Sequence, residues 1–172
     1  GIVDRLETML RTAGMRDPLS MLCSSDVLAG LEYQCLVPTL CPHCKRPLSD
    51  FWGKPEKMDL IMPASVEQSL RKSPNFKGQQ AFDGIFVRGD GCKMCDNDGF
   101  SRKQVVVAEV VKLDTELLGI LRGGNTGKAI EFWKSQRGGV TYVEQARRLI
   151  AAGELDPART ASRLGVELDC DL

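Results

Sequence analysis

Residues 41–44 read Cys41-Pro42-His43-Cys44, and after 47 intervening residues the chain answers with Cys92-Lys93-Met94-Cys95. Two C-x-x-C pairs make a tetrathiolate set. Four soft thiolates favour tetrahedral Zn²⁺, and a shell closed by four protein ligands is structural rather than catalytic. A two-residue spacer lets a tight turn aim both sulfurs, and its own amides, at one ion. The spacing therefore predicts metal ligands at Cys41, Cys44, Cys92 and Cys95. An iron–sulfur cluster, free thiols or a disulfide pair are the competing readings of the same residues. His43 is the only histidine. Four cysteines already fill a tetrahedral shell, so His43 reads as a residue beside the site. A single histidine also excludes a His-rich catalytic centre.

Outward from these pairs, the chain has 172 residues, enough for one ordinary domain or two small ones stapled by a metal. The 23 basic residues balance 23 acidic ones, so no long-range field draws the chain onto nucleic acid or an anionic membrane. No apolar run reaches membrane-spanning length and no signal peptide is visible. Seven cysteines is an odd number, with Cys23, Cys35 and Cys170 outside the pairs. That usage fits a reducing compartment and a bound metal better than a secreted disulfide frame. The chain opens at Gly1 directly in a helical pattern, as expected of a piece of something longer.

Ile2, Val3, Leu6, Met9 and Leu10 recur at helical spacing, with Gly14 as the stop. Asp17-Pro18 reads as an N-cap with proline at the first helical position, opening a short helix. From Leu31 the period changes to two. Leu31, Tyr33, Cys35 and Val37 alternate with Glu32 and Gln34, which predicts a strand with one buried face, ended by Pro38. Residues 45–91 are broken by Pro47, Pro55, Pro63 and Pro74. Ser65-Val66-Glu67-Gln68 there reads as a capping box, and Asp83-Gly84 as a hairpin turn. A region so poor in apolar residues is expected to draw folding energy from its metal. Trp52, Phe82, Phe86 and Phe100 are its expected apolar shell.

Asp96-Asn97-Asp98-Gly99 predicts a turn, and the valines of 103–112 a strand. Four short helices should follow. Asp114, Asn125 or Thr126, Thr141 and Asp156 start them, and Gly123-Gly124, Gly138-Gly139, Gly153 and Gly165 stop them. Trp133 belongs to their core. The whole reads as a helix-rich α+β protein whose short strands serve a small metal subdomain, with a C-terminal helical bundle.

Gly123 to Ala129 imitates a phosphate loop. A Walker A loop needs glycine five residues before its Gly-Lys and a hydroxyl residue after it, where this chain has Arg122 and Ala129. The stretch also joins two helical patterns rather than following a strand. It reads as a helix–helix connection, and no catalytic or cofactor-binding residue is assigned.

A longer constellation is familiar. It comprises Arg5-Leu6, Gly14-Met15, Gln34-Cys35-Leu36-Val37-Pro38, Leu40-Cys41-Pro42-His43-Cys44-Lys45, Gly91-Cys92-Lys93-Met94-Cys95, Gly99-Phe100, Arg102, Ala108-Glu109-Val110, Gly138-Gly139-Val140-Thr141 and Ala151-Ala152-Gly153. This resembles the C-terminal part of the traffic ATPases of type II secretion and type IV pilus assembly. The resemblance covers nearly the whole chain, most firmly 28–48 and 91–153. Where the family usually carries two arginines this chain has Cys35 and Pro38, so no role for those arginines is carried over. A branch such as conjugative-plasmid pilus ATPases would suit these departures.

The resemblance implies a hexameric RecA-like motor at the cytoplasmic face of the inner membrane, without direct membrane insertion. Residues 1–38 would end its RecA-like core, 39–103 would be a tetracysteine zinc subdomain, and 104–172 a helical subdomain. Walker A and the other nucleotide boxes would precede Gly1, so ATP and Mg²⁺ would be bound only by the full-length parent. The expected partners are other subunits and the inner-membrane platform protein, not nucleic acid.

Two readings from other classes stay open. Lys45, Arg46, Lys93, Arg102 and Lys103 flank the cysteines as they would in a zinc-ribbon module that binds nucleic acid or protein. Asp90, Asp96 and Asp98 interleave with them, and aromatic residues for base stacking are sparse. A redox enzyme using one C-x-x-C would need a thioredoxin-like βαβ setting, and none is visible.

Overall fold

The computed structural model describes residues 2–24, 26–51, 54–72, 84–166 and 168. It is a mixture of short helices and two small antiparallel sheets, as the α+β reading expects. The helices are α1 (Ile2–Thr12), α2 (Pro18–Leu22), α3 (Pro55–Ile61), α4 (Ala64–Lys72), α5 (Thr115–Arg122), α6 (Thr126–Arg137), α7 (Tyr142–Ala151) and α8 (Pro157–Leu164). The long strands β1 (Gly30–Leu40) and β4 (Phe100–Lys112) pair with each other, and the two-residue strands β2 (Arg46–Pro47) and β3 (Phe86–Val87) form the second sheet.

Side-chain caps place four of the eight helix starts named above. The side chain of Asp17 accepts from Ser20 N, Asp114 from Leu117 N, Asn125 from Lys128 N and Asp156 from Arg159 N. Each satisfies an amide that the first helical turn leaves without a partner. Gly138 and Gly165 close α6 and α8 in the left-handed conformation.

β1 departs from its expected end. It runs through Pro38 to Leu40. Cys41 N donates to Gly99 O on the β4 side, whereas Leu40 N donates to Glu154 O on the other side. Pro38 shares the side of Leu40, so its missing N–H costs the β1–β4 ladder nothing. Within residues 45–91, α3 is an element that the proline-broken pattern hides, with Pro55 in its first turn. Ser65 is not an N-cap, because α4 already begins at Ala64. The first half of the Asp83-Gly84 hairpin, up to Asp83, lies outside the described residues, as do Trp52, Phe82 and Cys170. Among the described residues, β3 pairs with β2, in the register Arg46 with Val87 and Pro47 with Phe86.

The chain divides into two compact units. One comprises Gly1–Tyr33 and Glu109–Thr141, with the terminal Leu172; the other comprises Gln34–Ala108 and Tyr142–Asp171. The first has a core of Leu19, Cys23, Leu113, Leu117, Leu118, Leu121, Ala129 and Trp133. Each such leucine contributes roughly 1.5–3 kcal/mol on burial. A Cβ on Gly139 would lie 2.2 Å from the Trp133 ring, so glycine is needed there for the indole to pack. The second unit buries Val37, Leu48, Met62, Leu70, Ile85 and Val87 together with Val143 and Ile150 of α7 and Leu155 of the connection to α8. Arg147, also buried there, donates from Nε to Leu168 O.

Candidate metal centre

The second unit holds the four paired cysteines. The first pair is a turn set directly on the end of β1. Cys41 N is held by Gly99 O at 3.1 Å, and Lys45 N closes the turn onto Cys41 O at 3.0 Å. The second pair sits on a single 3₁₀ turn, Lys93–Cys95. It is followed by Asp96 and Asn97 at φ 52° and 63°, a left-handed pair that lets Asn97 N return to Cys92 O at 2.9 Å. Asp and Asn tolerate that conformation better than most residues.

Glycines let backbone come close both between the two turns and within the second one. A Cβ on Gly89 would lie 1.8 Å from Cys44 O. A Cβ on Gly91, whose φ is +95°, would lie 2.4 Å from Asn97 O. Both contacts are to backbone, so no side-chain rotation could relieve them.

The sulfurs form one cluster. Cys41 Sγ lies 3.8 Å from Cys92 Sγ, Cys44 Sγ lies 3.8 Å from Cys95 Sγ, and Cys92 Sγ lies 3.7 Å from Cys95 Sγ. All four fall within 4.8 Å of one another. A tetrahedron with Zn–S bonds of about 2.3 Å has sulfur–sulfur edges of about 3.8 Å. The spacing is far above the ~2.05 Å of a disulfide. The donor set thus has both the size and the chemistry for one tetrahedral ion such as Zn²⁺.

Backbone amides complete the site's electrostatics. Cys92 N and Gly99 N each donate to Cys95 Sγ at 3.2 Å. Burial opposes the Cys95 thiolate, but these two N–H donors outweigh it and hold the thiol down to about 6. Burial first, then its sulfur neighbours, pushes Cys44 up to about 12, and burial raises Cys92. Of these three thiols, Cys95 gives up its proton most readily. A bound cation replaces such protons, since thiolates and not thiols are ligands.

The other residues singled out from the sequence stay apart. His43 is exposed on the first turn, and the sulfur cluster is complete without it. Cys23 lies in the core of the other unit, and Cys35 Sγ lies 3.6 Å from Arg163 O. Phe100 is buried and Phe86 half-buried; the Phe86 ring carries Lys45 Nζ 4.2 Å from its centroid. Three arginines near the cysteines are paired with acids. Arg46 faces Asp50 and Asp90, Arg88 faces Asp98, and Arg102 contacts Asp96 at 2.6 Å.

The phosphate-loop imitation also resolves. Lys128 lies in the first turn of α6. Three amides of this stretch already have acceptors: Gly123 N on Gly119 O, Gly124 N on Leu121 O and Lys128 N on Asn125 Oδ1. Among the described residues no helix is long and apolar enough to cross a membrane.

Sequence reading missed the supports of the site. Gly89 and Arg88 carry no motif, and Asp156 reads only as a helix cap, although a glycine two places before Gly91 was a usable sign of close backbone approach. A model of the family described as type II/IV secretion system protein matches residues 1–161. No curated protein matches the chain.

Proposed function

The chain belongs to the type II/IV secretion system protein family, and from that premise we propose that it is the C-terminal portion of a hexameric ATPase motor powering pilus assembly or protein secretion. In this reading residues 1–38 complete the RecA-like core, 39–103 form the zinc subdomain and 104–172 the helical subdomain. Cys41, Cys44, Cys92 and Cys95 hold a structural Zn²⁺. ATP and Mg²⁺ belong to the preceding part of the full-length motor, and this portion performs no hydrolysis of its own. The motor works in the cytoplasm, at the inner membrane, where the zinc subdomain meets the platform protein or a neighbouring subunit.

The observation that carries the proposal is the family match over residues 1–161, joined to four sulfurs at the spacing of one tetrahedral ion. Exposed side chains of the 45–90 segment are available for such a contact; Leu60 on α3 is 84% exposed. The test is Leu60→Asp in the full-length motor. ATP turnover should be unchanged while pilus or secretion output falls. Undiminished output would sink the platform contact through this segment. The purified chain should bind no ATP.

A further inference from the structure

We infer that Arg88 is a positioning residue of the tetracysteine site, acting on Cys95 through the peptide group that joins Asp98 to Gly99. Arg88 Nε donates to Asp98 O at 2.7 Å. The same peptide's N–H, that of Gly99, donates to Cys95 Sγ at 3.2 Å in a buried position. A trans peptide sends its C=O and N–H in opposite directions from one rigid plane. A cation-bearing donor on the oxygen therefore fixes where the hydrogen points. It also polarises the amide, so the N–H becomes a stronger donor to a thiolate.

Arg88 is itself held at both ends. Its backbone N–H donates to Asp156 Oδ2 at 2.8 Å, and Asp156 is a buried carboxylate whose other oxygen caps α8 through Arg159 N at 2.7 Å. Its guanidinium lies 5.6 Å from the centroid of the Phe100 ring, with Asp98 Oδ1 3.9 Å away. The stem fills the space above Gly99, where a Cβ would stand 2.7 Å from Arg88 Cγ. Gly99 thus admits the arginine, and the arginine orients the Asp98–Gly99 peptide. A ligand's outer partners commonly change metal affinity by 10–100-fold. Among the described residues the Arg88 side chain makes no hydrogen bond to a sulfur, so it reaches the metal site through this peptide.

The inference rests on the proposed zinc occupancy of the four cysteines, and the experiment separates the two. Zn²⁺ affinity of the 172-residue chain is measured by chelator competition for the wild type, Arg88→Met and Arg88→Lys. The Gly99 amide proton is followed by NMR in the same samples. Methionine keeps the apolar stem and removes the donor; lysine restores a single charged donor. R88M should lose about tenfold or more in affinity, with an upfield move of the Gly99 amide proton, and R88K should recover part of both. A wild-type chain that takes up no zinc overturns the zinc reading itself. A wild type that binds zinc, with R88M equal to it in affinity and in the Gly99 resonance, overturns the role of Arg88 alone. If R88M does not fold, R88K decides: affinity and Gly99 shift between those of the wild type and the metal-free chain support the role, and wild-type values refute it.

Discussion

Gly89→Ala is a demanding test of the site, because it alters the metal centre without replacing a ligand. The new methyl would stand 1.8 Å from Cys44 O and 2.8 Å from Cys44 C. Cβ contacts below 3.0 Å are essentially never seen, so the two backbones must part by about 1.2 Å, from 1.8 to at least 3.0 Å. Ligand distances at a zinc site tolerate only about 0.2 Å. Cys44 is two residues before Arg46, which is paired with Val87. The displacement must therefore move Cys44 out of the cluster or break the β2–β3 pairing. Overpacking of this kind costs about 1–3 kcal/mol, which corresponds to a roughly 5- to 150-fold loss of zinc affinity at 1.4 kcal/mol per decade. Gly119→Ala is the matched control. Nothing lies within 4 Å of its Cβ position in the interior of α5, so it should be stabilising by about 0.4–1 kcal/mol with unchanged zinc affinity. Chelator competition and thermal melting read both variants. G89A with wild-type zinc affinity would refute the argument that backbone contact between the two turns builds the site.

Cys92→Ser should abolish stoichiometric zinc and destabilise the unit containing Gln34–Ala108 before the other, as followed by hydrogen exchange; native protection after quantitative metal removal would count against a structural ion. Asp114 has its pKa lowered by the Leu117 N–H and then by Arg137. Its contribution is therefore complete above the ordinary carboxylate value of 3.8 and disappears as pH falls through the lower folded value, so Asp114→Asn should flatten the acid limb of stability against pH. An unaltered acid limb in that variant would dismiss the linkage. Lys128→Ala should leave metal content, melting and nucleotide behaviour as they are; ATP turnover by the chain that this change abolished would restore the phosphate-loop reading.

What was legible in the sequence was short-ranged. Asp17, Asp114, Asn125 and Asp156 each act on an amide three residues away, so the residue type and the apolar spacing together announce the helix start. The two C-x-x-C turns are likewise self-contained, and their meeting followed from the chemistry of one ion. Long-range pairing decided the rest. Pro38 reads locally as a stop, but the direction of the Leu40 and Cys41 N–H groups shows that it lies on the side away from the β4 ladder. α3 is short and starts at a proline in a stretch full of prolines, which conceals its period. The bond from Arg88 N to Asp156 joins residues 68 positions apart, and that from Lys45 Nζ to Gly153 O spans 108. No spacing rule reports such contacts. They place α7 and α8 in the same compact unit as the cysteines, a grouping that chain order does not suggest.

Zinc K-edge X-ray absorption of the purified chain tests the central claim most directly. One zinc per chain, with four sulfur scatterers at about 2.3 Å and no nitrogen or oxygen in the first shell, is the expected result. Absence of stoichiometric metal, or a shell containing a His43 nitrogen in place of a sulfur, would contradict the assignment of Cys41, Cys44, Cys92 and Cys95 as its four ligands.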